Sequence, residues 1–146
     1  MKLSDTITEF QGKYRFLSNF YPIDIFDRTS GLIFPTVEHA YQASKERNPK
    51  YWAGIHDCQS PGGAKRMGMD AICYKGWKQQ RISIMLELLR QKFIQHELRY
   101  NLLDTGDAML VEGNRWGDTF WGVDMRVMEG KNFLGFLLMQ VREEMR

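Results

Sequence analysis

The sequence predicts a single domain, mainly α, with a small N-terminal β element, and three observations carry that reading. Apolar residues recur at three- and four-residue intervals from Trp77 to Phe93, and again from Leu134 to Met145. A good capping residue, Thr36, follows Pro35 and precedes a run of acceptable helix formers. Extended patterns are short and lie mostly before that cap. A length of 146 residues suits one domain, 1–146, able to bury roughly two-thirds of the surface its unfolded chain exposes.

Composition narrows the class. At 43% hydrophobic and 13% aromatic the chain is globular. No apolar run approaches the roughly 20 residues a membrane span needs. Met1-Lys2-Leu3-Ser4-Asp5-Thr6 has no continuous apolar core of a secretion signal, so a cytoplasmic protein is expected. A net charge of +2 is too small for general affinity to nucleic acid and leaves room for a local basic patch. Cys58 and Cys73 lack both a C-x-x-C pairing and a histidine at metal spacing, so neither zinc nor a structural disulfide is expected.

Along the chain, Ile7 to Phe20 interleaves aromatics with Gly12, Lys13 and Arg15, which suits a short strand running into an irregular loop. Phe16, Leu17 and Phe20 either join the core or wall a pocket lined by Ser18 and Asn19. Ile23–Phe26 and Leu32–Phe34, joined by Asp27–Gly31, read as a β-hairpin. A helix starts at Val37 and ends, or turns, at Asn48-Pro49. A second, short helix opens at Ser60-Pro61, with Gly68 closing it. The long helix from Trp77 follows, then a helix over Glu97–Asp104 with Gly106 just past its end. Met109–Glu112 reads as a strand. The last helix opens at Gly130-Lys131-Asn132 and carries Leu134, Leu137, Leu138, Val141 and Met145 on one apolar stripe.

Two stretches carry chemistry. On the helix from Val37, Glu38, Tyr41, Gln42 and Lys45 fall within roughly one 100° arc, opposite Val37, Ala40 and Ser44. Glu38 either answers the helix dipole at a solvent-facing first turn or belongs, with Lys45, to a polar and aromatic ligand face. Lys45 stands two turns, about 10.5 Å, along the same face. The loop from Gly113 to Asp124 packs glycines, asparagine, two acids and three aromatics, a richness unusual in a mere connector. Gly62-Gly63 with Lys65 and Arg66 either presents amides and cations to a phosphate or forms a glycine-loosened helix with a solvated basic face. Trp77, at the start of the long helix, is packing or ligand stacking.

Several blocks together are similar to the NADAR, or YbiA-like, family: Phe16-Leu17-Ser18-Asn19-Phe20, Glu38-His39-Ala40-Tyr41-Gln42-Ala43-Ser44-Lys45, Ala64-Lys65-Arg66-Met67-Gly68, Lys92-Phe93, Leu110-Val111-Glu112, Asp118-Thr119-Phe120-Trp121-Gly122 and Asn132-Phe133-Leu134-Gly135. They occur in the expected order over nearly the whole chain. The resemblance implies a mainly helical domain with a small β element and an N-glycosidase acting on ribosides. Two substrate classes come with it: ADP-ribose attached to guanine in nucleic acid, and phosphorylated intermediates of riboflavin synthesis. It places Glu38 and Lys45 on the active-site helix, and Trp77, Asp118, Trp121 and Asn132 at the pocket. The expected catalytic residues are therefore Glu38, Lys45 and Asp118. The expected substrate contacts are Ser18, Asn19, Phe20, His39, Gln42, Lys65, Arg66, Trp77, Trp121 and Asn132. No cofactor and no metal is expected.

An N-glycosidic bond breaks through an oxocarbenium-like sugar, so a site needs a negative group near C1′, help for the departing base, and water or a nucleophile. Glu38 fits the first role or activates the water. A buried Lys45 has a lowered pKa and suits a covalent imine with the opened sugar. Trp77 and Trp121 offer flat surfaces for a base. ADP-ribosylated guanine is the preferred substrate, because scattered cations (Lys13, Arg15, Lys65, Arg66, Arg115, Lys131) and separate tryptophans suit a pyrophosphate and two ring systems. A module that binds an ADP-ribose-like nucleotide without cleaving it is the competing class, distinguished by the absence of released base.

Overall fold

Caps and breakers divide the chain into short, mainly helical elements. In chain order these are β1 (Thr6–Ile7), a 3-10 helix (Gly12–Leu17), β2 (Pro22–Phe26), β3 (Ile33–Thr36), α1 (Val37–Ala43), α2 (Pro49–Asp57), α3 (Pro61–Met69), α4 (Trp77–Ile94), α5 (His96–Asp104), β4 (Met109–Leu110), β5 (Gly113–Asn114), β6 (Val123–Asp124) and α6 (Phe133–Glu144). This computed structural model describes residues 5–146; residues 1–4, most of the segment read for a secretion signal, lie outside the described residues. No helix among the described residues is long and apolar enough to cross a membrane. The described residues group into two compact units: Asn19–Lys92, and the residues up to Ser18 together with Phe93–Arg146.

In the unit Asn19–Lys92 the expected hairpin is present, β2 pairing antiparallel with β3 through Ile25↔Phe34 and Phe26↔Ile33. Its turn closes with Gly31 in the left-handed region at φ 74° and its amide donating to Asp27 O at 2.8 Å. Ile25 and Phe34 point into the core, and β3 delivers Thr36 in extended geometry to cap α1. The Thr36 hydroxyl accepts from His39 N at 3.0 Å, as the sequence predicts.

Three expectations are corrected here. α1 has no solvent-facing side, since all seven of its residues are buried, and it stops at Ala43. Lys45 is thus in the turn after the helix and not two turns along its face. Ser44 causes the stop: its hydroxyl donates to Tyr41 O at 2.5 Å, and the amides of Ser44 and Lys45 reach back three residues to Tyr41 O and Gln42 O. Asn48-Pro49 does not merely end a helix but opens a new one, α2, with Asn48 Oδ1 accepting from Lys50 N at 3.0 Å and proline in the first turn. In α3, which opens at Ser60-Pro61 as expected, Gly68 lies inside the helix instead of closing it. A Cβ there would collide with the Gln42 side-chain amide, so the glycine serves close packing.

In the other unit, β1 and β4 pair in parallel through Thr6↔Met109 and Ile7↔Leu110. The expected strand and loop from Ile7 to Phe20 become a two-residue strand followed by the 3-10 helix, because consecutive Phe16 and Leu17 are both buried, which strand alternation does not allow. The β content is therefore not confined to the N-terminal part: β4 keeps two of the four residues expected at 109–112, and β5 pairs with β6 in parallel inside the tryptophan-rich loop. α5 ends before Gly106, at φ 63°, and α6 buries Leu134, Leu137, Leu138 and Val141 while Met145 is half-buried at its cap.

Candidate active site

The unit Asn19–Lys92 gathers Asn19, Phe20, Glu38, His39, Gln42, Lys45, Lys65, Arg66 and Trp77. Glu38 sits in the first turn of α1, where the helix dipole favours a carboxylate, and its amide donates to Asn19 O at 3.1 Å. The residue is only 7% exposed. One turn on, Gln42 Nε2 donates to Glu38 Oε1 at 3.4 Å. The other end of that amide, Gln42 Oε1, is buried without a hydrogen-bond partner, and so is Asn19 Oδ1, whose Nδ2 reaches only Met85 Sδ at 3.6 Å. Two buried acceptors without donors are costly to a fold and belong where something other than stability is served.

Lys45 follows α1. Its Nζ donates to Gly68 O at 3.1 Å and lies 5.5 Å from the centre of the Trp77 ring. Burial lowers the pKa of its amine below the usual 10.5; the nearby Cys73 and Glu38 side chains act against this, and the cations Arg81 and Lys65 add to it. Trp77, 4% exposed, is held at both ends, its Nε1 donating to Ser44 Oγ at 3.0 Å and its ring 5.6 Å from that of Tyr41. Phe20 is 42% exposed, Lys65 is half-buried and Arg66 is exposed. Of the two glycine amides considered for a phosphate, that of Gly63 is taken by Ser60 Oγ at 3.0 Å.

His39 has its ring fully engaged. Nε2 contacts Cys58 O at 3.0 Å, and because a carbonyl only accepts, Nε2 carries the proton. Nδ1 lies 2.8 Å from Thr36 Oγ1 and receives its hydroxyl proton. The imidazole thereby ties the α1 cap to the end of α2.

The other unit holds Ser18, Asp118, Trp121 and Asn132. Ser18 ends the 3-10 helix, its amide donating to Arg15 O. Asp118 Oδ1 accepts from Phe120 N at 3.1 Å and Trp121 N at 3.0 Å, which makes it the corner of a turn. Trp121, half-buried, stands edge-on to Phe120 with ring centres 4.8 Å apart. Asn132, left-handed at φ 54° and 5% exposed, donates to Leu110 O and accepts from Glu112 N, both at 3.0 Å.

Sequence reasoning passed over Arg81, whose guanidinium lies 5.9 Å from the Trp77 ring and bears on Lys45. The signal was present, since Arg81 is four residues after Trp77 on the same helix face. It also passed over Ser44, which both ends α1 and fixes Trp77. Among the described residues no group of three histidine, cysteine, aspartate or glutamate side chains is placed to hold a metal ion.

The NADAR domain family matches residues 7–146. The chain is 40% identical to the N-glycosidase YbiA of Escherichia coli, over 98% of this chain and 91% of that protein. It is 38% identical to an N-glycosidase of Nostoc punctiforme, over 91% and 86%. A riboflavin biosynthesis protein of Vibrio vulnificus is 36% identical over 90% of this chain and 35% of its own length. The NMR structure of the E. coli protein YbiA superposes with a TM-score of 0.82 at 40% identity, covering 98% of this chain and 86% of that one. The chain belongs to the NADAR domain family, and with it to the N-glycosidases, hydrolases of N-glycosyl compounds.

Proposed function

We propose that this protein acts in the cytoplasm, as one domain, to cleave the N-glycosidic bond joining ADP-ribose to guanine in nucleic acid. The observation that carries the reading is the grouping of a buried carboxylate, Glu38, with an amine whose pKa is lowered, Lys45, and two further cations, Lys65 and Arg81. One negative group suits the sugar cation, and several positive ones suit a pyrophosphate better than a single phosphate would require. In the reaction the C1′–N bond breaks, its electron pair and a proton go to the base, and the oxygen of water adds to C1′. Glu38 stabilises the developing cation or takes the proton from that water. In the covalent form of the reaction the Lys45 amine, in place of water, adds to C1′ as the base leaves; the amine loses a proton, the ribose ring opens to an imine, and water then hydrolyses the imine to free the sugar and the amine.

We assign the remaining contacts as follows. Ser18, Asn19, Phe20 and Gln42 face the sugar and base, Lys65 and Arg66 the phosphates, and Trp77 and Trp121 the rings. Asp118 is the third catalytic residue and the second carboxylate, after Glu38. His39 and Asn132 support these contacts through the backbone they hold.

A second reading has its own observation. Relatives named riboflavin biosynthesis proteins, from Vibrio vulnificus and Zea mays, share this domain at 36% and 34% identity, which favours a phosphorylated riboflavin intermediate. Parallel assays decide. Release of ADP-ribose with restoration of guanine in a modified oligonucleotide, at a kcat/KM well above that for the flavin intermediate, is the expected result; the reverse ratio overturns it.

A further inference from the structure

Gly68 lies buried in the last turn of α3, where a glycine costs a helix about 1 kcal/mol relative to alanine. Its backbone is not left-handed, so conformational freedom does not account for it. What touches it does. The Gln42 side-chain amide, 4% exposed, stands against the bare Cα, and a Cβ at position 68 would overlap Gln42 Oε1 and come to 2.6 Å from Cδ. The other end of that amide donates to Glu38 Oε1 at 3.4 Å.

The main chain of Gly68 meets the second expected catalytic group directly, its carbonyl accepting from Lys45 Nζ at 3.1 Å. That carbonyl stands at the C-terminal end of α3, where the helix dipole attracts an amine. An amine that donates one N–H to Gly68 O keeps its lone pair directed away from that carbonyl. The backbone between the two groups is tied elsewhere: Gln42 O accepts from the Tyr51 hydroxyl at 2.7 Å and from Lys45 N at 3.2 Å, and Lys45 O accepts from Tyr74 N at 2.9 Å. With this backbone fixed, a side chain at position 68 pushes on the Gln42 amide and, through it, on Glu38.

We propose that Gly68 is a positioning residue for the reaction: its bare Cα seats the amide that holds Glu38 and its carbonyl holds the Lys45 amine, so one glycine of α3 sets both groups. The proposal rests on the assignment of Glu38 and Lys45 above and is independent of which N-glycoside is cleaved.

Gly68→Ala tests it, assayed on the modified oligonucleotide and on the flavin intermediate, with Glu38→Gln alongside. The new Cβ forces the amide back by about 1 Å, and misplacement of that size costs roughly a hundredfold in rate. The loss should fall on kcat, with KM within about threefold, because catalytic geometry changes and not a substrate contact. Gly54→Ala is the packing control: its Cβ would press only on the methyl and sulfur of Met67, the free end of a flexible side chain. It should lower Tm and leave kcat within about twofold.

Gln42→Ala removes the obstacle. Gly68→Ala should melt higher on that background than alone, and should lower the kcat of Gln42→Ala by less than about twofold. This second pair also carries the test if Gly68→Ala alone does not fold. A lower Tm with near-wild-type kcat in Gly68→Ala would make Gly68 a packing residue and overturn the proposal, as would equal kcat losses with and without Gln42→Ala. A wild-type rate in Glu38→Gln would overturn instead the assignment beneath it.

Discussion

Two stretches combine polar and aromatic residues, α1 with its following turn and the loop from Gly113 to Asp124, and the fold uses their polar groups in opposite ways. In the loop Asn114 and Asp118 direct their side-chain hydrogen bonds to the backbone, and Asp124 is paired with Arg126. Asn114 donates to Asp118 O and Val123 O and accepts from Asp118 N and Trp116 N; Asp118 accepts from Phe120 N and Trp121 N. Around α1 the account stays open, with Gln42 Oε1 and Asn19 Oδ1 lacking donors and the Lys45 amine held in a site that disfavours its charge. Saturated polar clusters build shape, whereas buried groups kept in a disfavoured state are the ones a reaction draws on.

The comparison breaks first at Glu38. Glu38→Gln keeps the size of the side chain and an acceptor for Gln42, so the fold should melt where the wild type does while turnover falls at least about a hundredfold. Turnover near the wild-type rate would take Glu38 out of the mechanism. Lys45→Ala should cost about as much. Borohydride added during turnover should fix sugar to the protein at Lys45, located by peptide mapping; an inactive Lys45→Ala protein with nothing trapped in the wild type leaves the lysine an electrostatic role.

The same amine makes a pH prediction. A nucleophilic lysine must lose its proton, so the rate should rise with pH along a limb below the ordinary 10.5. Arg81→Gln removes one of the cations that lower this pKa and should move the limb to higher pH. For stability the sign follows from the same depression: the folded state releases this proton before the unfolded chain does. Lys45 therefore makes unfolding less favourable as pH rises between the folded-state pKa and 10.5.

Much of this was legible in the residues. Thr36, Ser60 and the apolar spacing of α4 and α6 announced their helices through local chemistry that tertiary contacts did not override. Asn48-Pro49 carried a helix start as well, a capping side chain followed by proline, but proline read as a terminator hid it. The position of Lys45 was not legible, because the end of α1 depends on the Ser44 hydroxyl turning back to its own helix, a choice coupled to the Trp77 indole bound to that hydroxyl. Gly68 looked like a helix stop, and only the approach of Gln42 shows what it is for. Asn132 was singled out by resemblance, yet its two bonds to the backbone around β4 depend on a pairing that no local pattern encodes.

Asn132→Ala sharpens the contrast from the structural side. It leaves Leu110 O and Glu112 N without their partner and opens a space against Gly135, whose missing Cβ makes room for the asparagine. The expected loss is about 2–3 kcal/mol, from two lost hydrogen bonds and buried backbone groups left bare. A thermal melt should show this as a fall in Tm of roughly 5–10 °C. The kcat of the folded fraction should stay near wild type, and an unchanged Tm would mean that the β4 region does not depend on this side chain.

The smallest effect expected is at Asp118, and it tests whether one residue can belong to both kinds of cluster. Its Oδ1 holds the turn by accepting two backbone amides, so the turn survives if an amide oxygen takes its place. Asp118→Asn supplies that oxygen while removing the negative charge, which separates geometry from chemistry in one substitution. Should the carboxylate also assist the sugar cation, kcat falls by about tenfold, a loss of about 1.4 kcal/mol, with Tm unchanged. The effect is smaller than at Glu38 because the two amide dipoles already draw on the charge of Asp118. A kcat within twofold of wild type would return Asp118 to the turn alone, and the catalytic carboxylate of this enzyme would then be Glu38 by itself.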